Sequence, residues 1–189
     1  MDERGIEKDL HSYSIYMDIV CKSGKPWKTV KLYKEMKKKG IVLDVVAYNM
    51  VLHAIGRFRH AYAILDQMLE KGCFPNVITY HGFFGCLEKP KEMLKLFDRM
   101  IESGVRPRMD TYVMLLRRFG RWGFLRPVFI VWKKMEEHRC SPDASVYNAV
   151  IDALIQKNMV DMARKYDEEM LAKGLSAKPR KSWGQSRYV

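Results

Sequence analysis

The sequence predicts an all-α protein, a solenoid of about five stacked helix pairs, and three periodic features predict it. Tyrosines stand at Tyr13, Tyr48, Tyr80, Tyr112 and Tyr147, at intervals of 35, 32, 32 and 35 residues. Methionines stand at Met36, Met68, Met100, Met135 and Met170, at intervals of 32, 32, 35 and 35. Gly40, Gly72, Gly104 and Gly174 each follow one of those methionines by four residues, with Arg139 in the remaining slot, and Pro75, Pro107 and Pro142 close three units. Registers that advance in phase at such a period mark a repeat architecture, each repeat being one supersecondary element. The chain therefore divides into a lead-in at 1–9, units at 10–44, 45–76, 77–108, 109–143 and 144–178, and a basic tail at 179–189.

Each unit reads as two helices. After every unit tyrosine, apolar residues recur three, four and seven positions on: Tyr16, Met17 and Val20; Val51, Leu52 and Ile55; Phe83, Phe84 and Leu87; Leu115, Leu116 and Phe119; Val150, Ile151 and Leu154. That spacing is one face of a helix with 3.6 residues per turn. The second half repeats a pair of large side chains ahead of the methionine, Leu32 and Tyr33, Ile64 and Leu65, Leu96 and Phe97, Val131 and Trp132; the fifth unit has Tyr166 and Asp167 there. Pro26, Pro90 and Pro127 stand where the second helix starts, a position that tolerates a missing N–H. The glycines supply the left-handed residue that ends it. Neither helix hides its apolar face alone, so successive pairs stack. The 32-residue units lose three residues near Gly56–His60 and Leu87–Pro90, which predicts a first helix shorter by about one turn.

Composition removes several function classes. The 189 residues are 48% hydrophobic and 30% charged, enough to bury a core, and no run of 18 apolar residues exists to span a membrane. Lys and Arg total 34 against 22 Asp and Glu, a net charge of +12, which favours a polyanionic partner. Cys21, Cys73, Cys86 and Cys140 contain no CxxC pair to start a zinc site and suit a reducing compartment, and Cys73 and Cys140, which share a slot with Ile41, Val105 and Leu175, read as small apolar packing. The five histidines show no HExxH spacing, and neither a phosphate-binding GxxxxGK[ST] loop nor a GxSxG elbow occurs. The expectation is a noncatalytic chain with no metal and no cofactor. Asp2, Glu3, Glu7 and Asp9 make the start too acidic for an organelle targeting peptide, which is expected to be absent from this chain.

The units begin VVAYN, VITYH and ASVYN and end EKGCFPN, ESGVRPR and HRCSPD. These motifs, in units that lack the Trp and Leu-Gly of a tetratricopeptide repeat, resemble the pentatricopeptide repeat family of the plain 35-residue kind, in particular its plant mitochondrial members. The resemblance covers residues 10–178. It implies a right-handed α-solenoid that binds single-stranded organellar RNA in RNA processing, stability or translation, one base per repeat, as a monomer. It also implies a mitochondrial location, with the plastid as the alternative, and a fusion across a missing repeat at the shortened unit 45–76. In the family the residue after the unit tyrosine and the last residue of the unit read the base, and the second residue sandwiches it. Short polar side chains suit the edge of an unpaired base and aliphatic ones its faces.

Carried onto this chain, unit one supplies Ser14 with Asp44, a pair implying guanine, although His11 takes the sandwich position. Unit two supplies Asn49 with Asn76 and the sandwiching Val46, implying a pyrimidine. Unit three supplies His81 with Arg108, and Ile78 as sandwich. Unit four has Val113 with Asp143 and Asp110, where Val113 offers no hydrogen bond to a base edge. Unit five has Asn148 with Lys178 and Ser145. Five read bases recur by chance about once in a thousand nucleotides, so weak binding is expected from this chain alone.

Other features have plainer explanations. The unit tyrosines, the methionine series and Trp27, Trp122 and Trp132 are expected in the core. Arg117, Arg118 and Arg121 lie along one first helix and are candidates for phosphate contact, as are Lys37, Lys38 and Lys39, which equally suit the negative end of a helix dipole. Arg180, Lys181 and Arg187 make the tail a basic extension. An alternative function is a noncatalytic protein–protein scaffold, such as a peripheral component of an organellar ribosome, favoured by the weak reading positions in units three to five.

Overall fold

A computed structural model describes residues 9–23, 25–55 and 58–176. Lys178, the tail at 179–189 and most of the lead-in lie outside the described residues. Among the described residues all regular structure is α-helical: α1 Leu10–Lys22, α2 Pro26–Lys38, α3 Val45–Ile55, α4 Phe58–Glu70, α5 Val77–Cys86, α6 Pro90–Glu102, α7 Met109–Arg121, α8 Leu125–Glu137, α9 Ala144–Gln156 and α10 Val160–Ala172. The odd-numbered helices carry the unit tyrosines and the even-numbered ones the methionines. Helix α5 spans 10 residues where α1, α7 and α9 span 13, so in the third unit the three missing residues come out of the first helix; the gap expected near 56–60 in the second unit falls partly outside the described residues.

The chain folds as two compact units, Met1–Arg106 and Pro107–Val189. In the first, α3 packs against α1 on one side and α5 on the other, and α2 and α4 lie against this row. In the second, α9 packs against α7, and α8 and α10 cover them. Each is a stack of helix pairs of the α-solenoid class, with the core between successive pairs. In the second unit Trp132 of α8 sits edge-on to Tyr147 of α9 at 5.2 Å and to Tyr166 of α10 at 5.0 Å, which locks three helices together.

The periodic residues have distinct jobs. Every unit tyrosine and every series methionine is buried. Four of the five tyrosine hydroxyls cross to the end of their own second helix: Tyr80 meets Ser103 Oγ at 2.9 Å and Tyr112 meets His138 Nδ1 at 2.8 Å. Tyr13 donates to Glu35 and accepts from Lys39 at 2.9 Å, and Tyr147 does the same with Glu169 and Lys173, both at 2.6 Å. A buried hydroxyl needs such a partner, and the bond pins the two helices of a pair. Burial raises the Tyr112 hydroxyl to about 12, and the hydrogen bonds from Lys173 and then Tyr147 hold the Glu169 carboxyl low.

The ends of the second helices obey one rule. The residue four past each methionine has positive φ: Gly40, Gly72, Gly104 and Gly174 lie at 68° to 79°, and Arg139 takes the same conformation at 53°. The next residue then donates back to the methionine carbonyl, as from Ile41 to Met36 at 3.0 Å and Cys140 to Met135 at 3.0 Å, closing a Schellman motif. Pro26 and Pro90 occupy the first helical position, whereas Pro127 is the third residue of α8, still within its first turn.

Two side chains expected in the core are not there, and Trp122, also expected there, is only half-buried. Trp27 is 55% exposed because it lies on the opposite side of α2 from the buried Thr29, Leu32, Tyr33 and Met36. Tyr16 is 47% exposed together with Ile15 and Ile19. The equivalent positions on α3 and α5 face the preceding first helix of the row, and α1 has no such neighbour among the described residues.

Candidate nucleic-acid interface

The first turn of each odd-numbered helix is organised by the residue just before it. Asp44 accepts the Ala47 N–H at 2.8 Å, Asn76 the Thr79 N–H at 3.0 Å and Asp143 the Val146 N–H at 2.9 Å. Asn76 completes a capping box, its own N–H donating to Thr79 Oγ1 at 3.1 Å. These N-caps satisfy backbone donors left over at a helix start. The unit-closing positions are thus held in place by the helix that follows, with Asp44 and Asn76 exposed to solvent.

Two positions later, Val46 and Ile78 are 54% and 53% exposed, aliphatic surfaces without cover. Asn49, three residues beyond Val46, is only 8% exposed, and its Oδ1 is buried with no hydrogen-bond partner among the described residues. Ser14 holds the equivalent place on α1, half-buried, and its Oγ is likewise buried and unpartnered. An unsatisfied buried acceptor costs about 1–3 kcal/mol, which a ligand that supplies the missing partner recovers. Ser14, Asp44, Val46, Asn49, Asn76 and Ile78 therefore share the α1–α3–α5 row of the first compact unit, the first four on or beside the paired helices α1 and α3.

His81 sits half-buried on α5. Arg108, its family partner, belongs to the second compact unit, where its Nη2 donates to Asp110 Oδ2 at 2.9 Å. Its guanidinium is therefore engaged by the residue in the sandwich position of the next unit. Val113 is half-buried on α7.

In the second unit α7 and α9 meet at small residues. A Cβ built on Gly120 would stand 2.9 Å from Ala153 Cβ, so the helices approach as closely as a glycine allows. Beside this contact lies a groove of about 750 Å³ lined by Arg117, Gly120, Arg121, Ser145, Asn148, Ala149, Asp152, Ala153 and Gln156. It brings together Arg117, Arg121 and Asn148, which sequence had placed on separate grounds. Arg118 does not join them; its guanidinium lies 5.1 Å over the Trp122 ring, on another side of α7. Asp152 and Gln156 escaped the sequence reading, although their spacing of four and eight residues from Asn148 puts them on its helix face. With two guanidinium groups, a half-buried amide and a carboxylate, the groove suits a ligand that carries both phosphate and hydrogen-bonding edges.

The lysine cluster after Met36 divides in the same manner. Lys37 donates to Gln67 Oε1 at 3.0 Å, and Lys39 pairs with Glu35 at 3.1 Å while donating to Tyr13. Both are held by the fold, and Lys38 is exposed.

Comparison with known proteins agrees with this arrangement. The pentatricopeptide repeat domain profile matches residues 31–89 and 95–157, and the PPR repeat profile matches 11–41, 83–105 and 145–175. A mitochondrial pentatricopeptide repeat-containing protein of Arabidopsis thaliana is 54% identical over 218 residues, covering 95% of this chain and 49% of the relative. A second mitochondrial one from the same plant is 29% identical, over 93% of this chain and 37% of the relative. The chain thus spans half or less of the length of these relatives. The matched span of 218 residues also exceeds the 189 of the whole chain, so the first relative carries a stretch inside the match that this chain lacks.

Among solved structures, the pentatricopeptide repeat protein PPR10 in complex with an 18-nucleotide psaJ RNA element superposes with a TM-score of 0.77 at 27% identity, over 92% of this chain and 26% of that one. The PPR domain of Arabidopsis protein-only RNase P 1, in complex with tRNA, shares the fold at a TM-score of 0.74 and 19% identity, over 89% of this chain and 92% of that one. On the strength of profiles covering most of the chain, the shared helix-pair fold and the 54% identical relative, the chain belongs to the pentatricopeptide repeat family.

Proposed function

We propose that this chain is a noncatalytic, single-stranded RNA-binding protein that acts on a mitochondrial transcript, in processing, stability or translation. The observation that carries the proposal is the pair of buried, unpartnered polar atoms, Ser14 Oγ and Asn49 Oδ1, at the same register on adjacent helices. That these two atoms share one register on neighbouring first helices is what a pair of base-reading positions would give. An exocyclic amine or ring N–H of an unpaired base supplies the donor that Asn49 Oδ1 lacks. Val46 and Ile78 give the base an aliphatic face on each side, and Asn76 and Asp44 offer a second polar contact from the caps. In the second unit, Asn148 takes a base in the groove while Arg117 and Arg121 hold phosphates. PPR10 bound to an RNA element is the precedent for this surface in the same fold.

The test is selection of bound sequences from a randomised RNA pool, repeated with Asn49→Ala. We expect an enriched pyrimidine at one position for the native chain and its loss in the variant. Identical enrichment in both would refute a base-reading role for Asn49. A protein–scaffold role is favoured by one observation, the Arg108–Asp110 ion pair, which engages a reading position with a sandwich position. Partners that survive ribonuclease in a pull-down support the scaffold, and partners lost with the RNA support the reader.

A further inference from the structure

The outer face of α2 differs from that of every other second helix. Trp27, Lys31, Lys34 and Lys38 follow one another at spacings of four, three and four, which sets them in a single stripe along the helix. All four side chains are exposed, and the stripe lies opposite the buried Thr29, Leu32, Tyr33 and Met36. Lys31 rests 5.2 Å from the Trp27 ring centroid, with Lys28 on the same ring at 5.5 Å. Glu35 is the sole acid of the helix, and it is bound to Tyr13 and Lys39 on another side.

The same register elsewhere is not basic throughout. It holds Asp66 and Glu70 on α4, Asp98 and Glu102 on α6, and Glu137 on α8, with Asp161 and Glu168 on α10. There the charges are mixed, and ion pairs form, Asp66 with Arg99 at 3.6 Å and Glu137 with Lys133 at 3.8 Å. Like charges one turn apart are destabilising in a helix. The dipole favours a lysine in the last turn, which accounts for Lys38 and leaves Lys31 and Lys34 unexplained. An exposed tryptophan at the head of such a ladder is equally unexplained by packing.

We propose that this stripe is a second RNA-contact surface, in which Lys31, Lys34 and Lys38 bind successive backbone phosphates and Trp27 stacks on an unpaired base. The three lysines span about 10 Å of helix axis, room for a short backbone segment. A cationic groove or ridge with an aromatic platform is the sequence-tolerant mode of single-strand binding. A membrane surface suits the stripe less, because Trp27 is its single apolar member and the other large apolar side chains of α2 face the core. The proposal takes RNA as the ligand class and is independent of base reading by Asn49. It gives this chain affinity that its few reading positions do not supply.

The test is the salt dependence of binding of a fluorescent 20-nucleotide oligouridine to the full chain. The variant Lys31→Gln/Lys34→Gln/Lys38→Gln removes charge with good helix formers. Loss of three phosphate contacts flattens the slope of log K against log salt by about 2 and weakens binding on the order of 100-fold at 0.1 M salt. Trp27→Ala should weaken binding with the slope retained, and Asn49→Ala should leave the slope unchanged. An unaltered slope in the triple variant overturns the proposal. So does a variant that keeps RNA binding but loses binding to vesicles containing phosphatidylserine, which would assign the stripe to a membrane surface. Should Asn49→Ala also leave base preference unchanged, base reading fails while the slope result still judges the stripe.

Discussion

The contact between Gly120 and Ala153 allows a test of the α7–α9 packing that shapes the groove. In Gly120→Ala the new Cβ would meet Ala153 Cβ at 2.9 Å, well inside van der Waals contact, so the helices must separate. Overpacking of this kind costs about 1–3 kcal/mol, and replacing a helical glycine by alanine returns about 1 kcal/mol. The net loss is about 0–2 kcal/mol. Ala153→Gly loses about 1 kcal/mol of helix propensity and about 0.8 kcal/mol for its buried methyl. If the sites were independent, the double variant would lose roughly 2–4 kcal/mol by addition of these terms.

The swap should instead be nearly neutral. With glycine at 153, the Cβ at 120 faces the Cα of residue 153 at 3.6 Å, an ordinary contact. One helix gains what the other loses, and the number of methyls is unchanged. The expected coupling is therefore about 2–4 kcal/mol in favour of the pair, at the upper end of what residues in direct contact show. Urea unfolding followed by circular dichroism on the four chains of the cycle measures it. Losses that add to within about 0.5 kcal/mol would refute the close approach of α7 and α9.

Three further outcomes follow from individual residues. Arg139→Gly should stabilise the chain by roughly 0.5–1 kcal/mol, since Arg139 holds a φ of 53° that glycine adopts without strain, less the entropy glycine adds to the unfolded chain; a lower unfolding midpoint would contradict this. Burial raises the hydroxyls of Tyr33, Tyr48, Tyr62, Tyr147 and Tyr166 and takes Tyr112 to about 12, so the folded state keeps protons that the unfolded state releases near 10. This stability is fully present below about pH 10 and falls as pH rises toward 12. Tyrosinate absorbance should lag and then rise together with loss of helix, whereas gradual titration ahead of unfolding would count against burial. Finally, Asn76→Ala should cost about 1 kcal/mol as a lost cap, while Asn76→Asp keeps the cap and shifts base selection; equal selection by both native and Asp chains would remove Asn76 from the reading pair.

The sequence revealed the repeat because packing and capping recur in every unit, and a periodic constraint leaves a periodic trace. Tyr112 and Met135 could be placed in the core from spacing alone, and a deletion of three residues could be assigned to the first helix before any coordinates. What escaped was set by a neighbour in space. Trp27 reads as core because it is large and apolar, yet its angular position on α2 puts it outside. Arg118 resembles Arg117 and Arg121 in sequence, but a step of 100° carries it to the Trp122 ring and away from the groove. Asp44, Asn76 and Asp143 carried a legible signal that was missed, since Asp or Asn just ahead of an apolar helix is the mark of an N-cap.

A cap placed at the unit boundary bears on how a repeat combines stability with recognition. The closing residue of one unit is the N-cap of the next first helix, so its side chain is fixed by a backbone N–H before any ligand arrives. Asp and Asn meet both demands, for one carboxylate or amide oxygen caps the helix while the other terminal atom remains to meet a base. Arg108 meets neither in that way. At the start of α7 its backbone N–H donates to Thr111 Oγ1 at 3.2 Å, and its guanidinium reaches Asp110. Under the proposed base-reading role, a unit that closes on a capping residue would lose reading through changes at Ser14 or Asn49 alone, with the cap and the fold kept. Where it closes on an arginine, the backbone N–H keeps the bond to threonine that Asn76 also makes, but the side-chain cap is gone. The guanidinium is engaged by Asp110, so the proposed reading pair His81–Arg108 meets a base only if that ion pair opens.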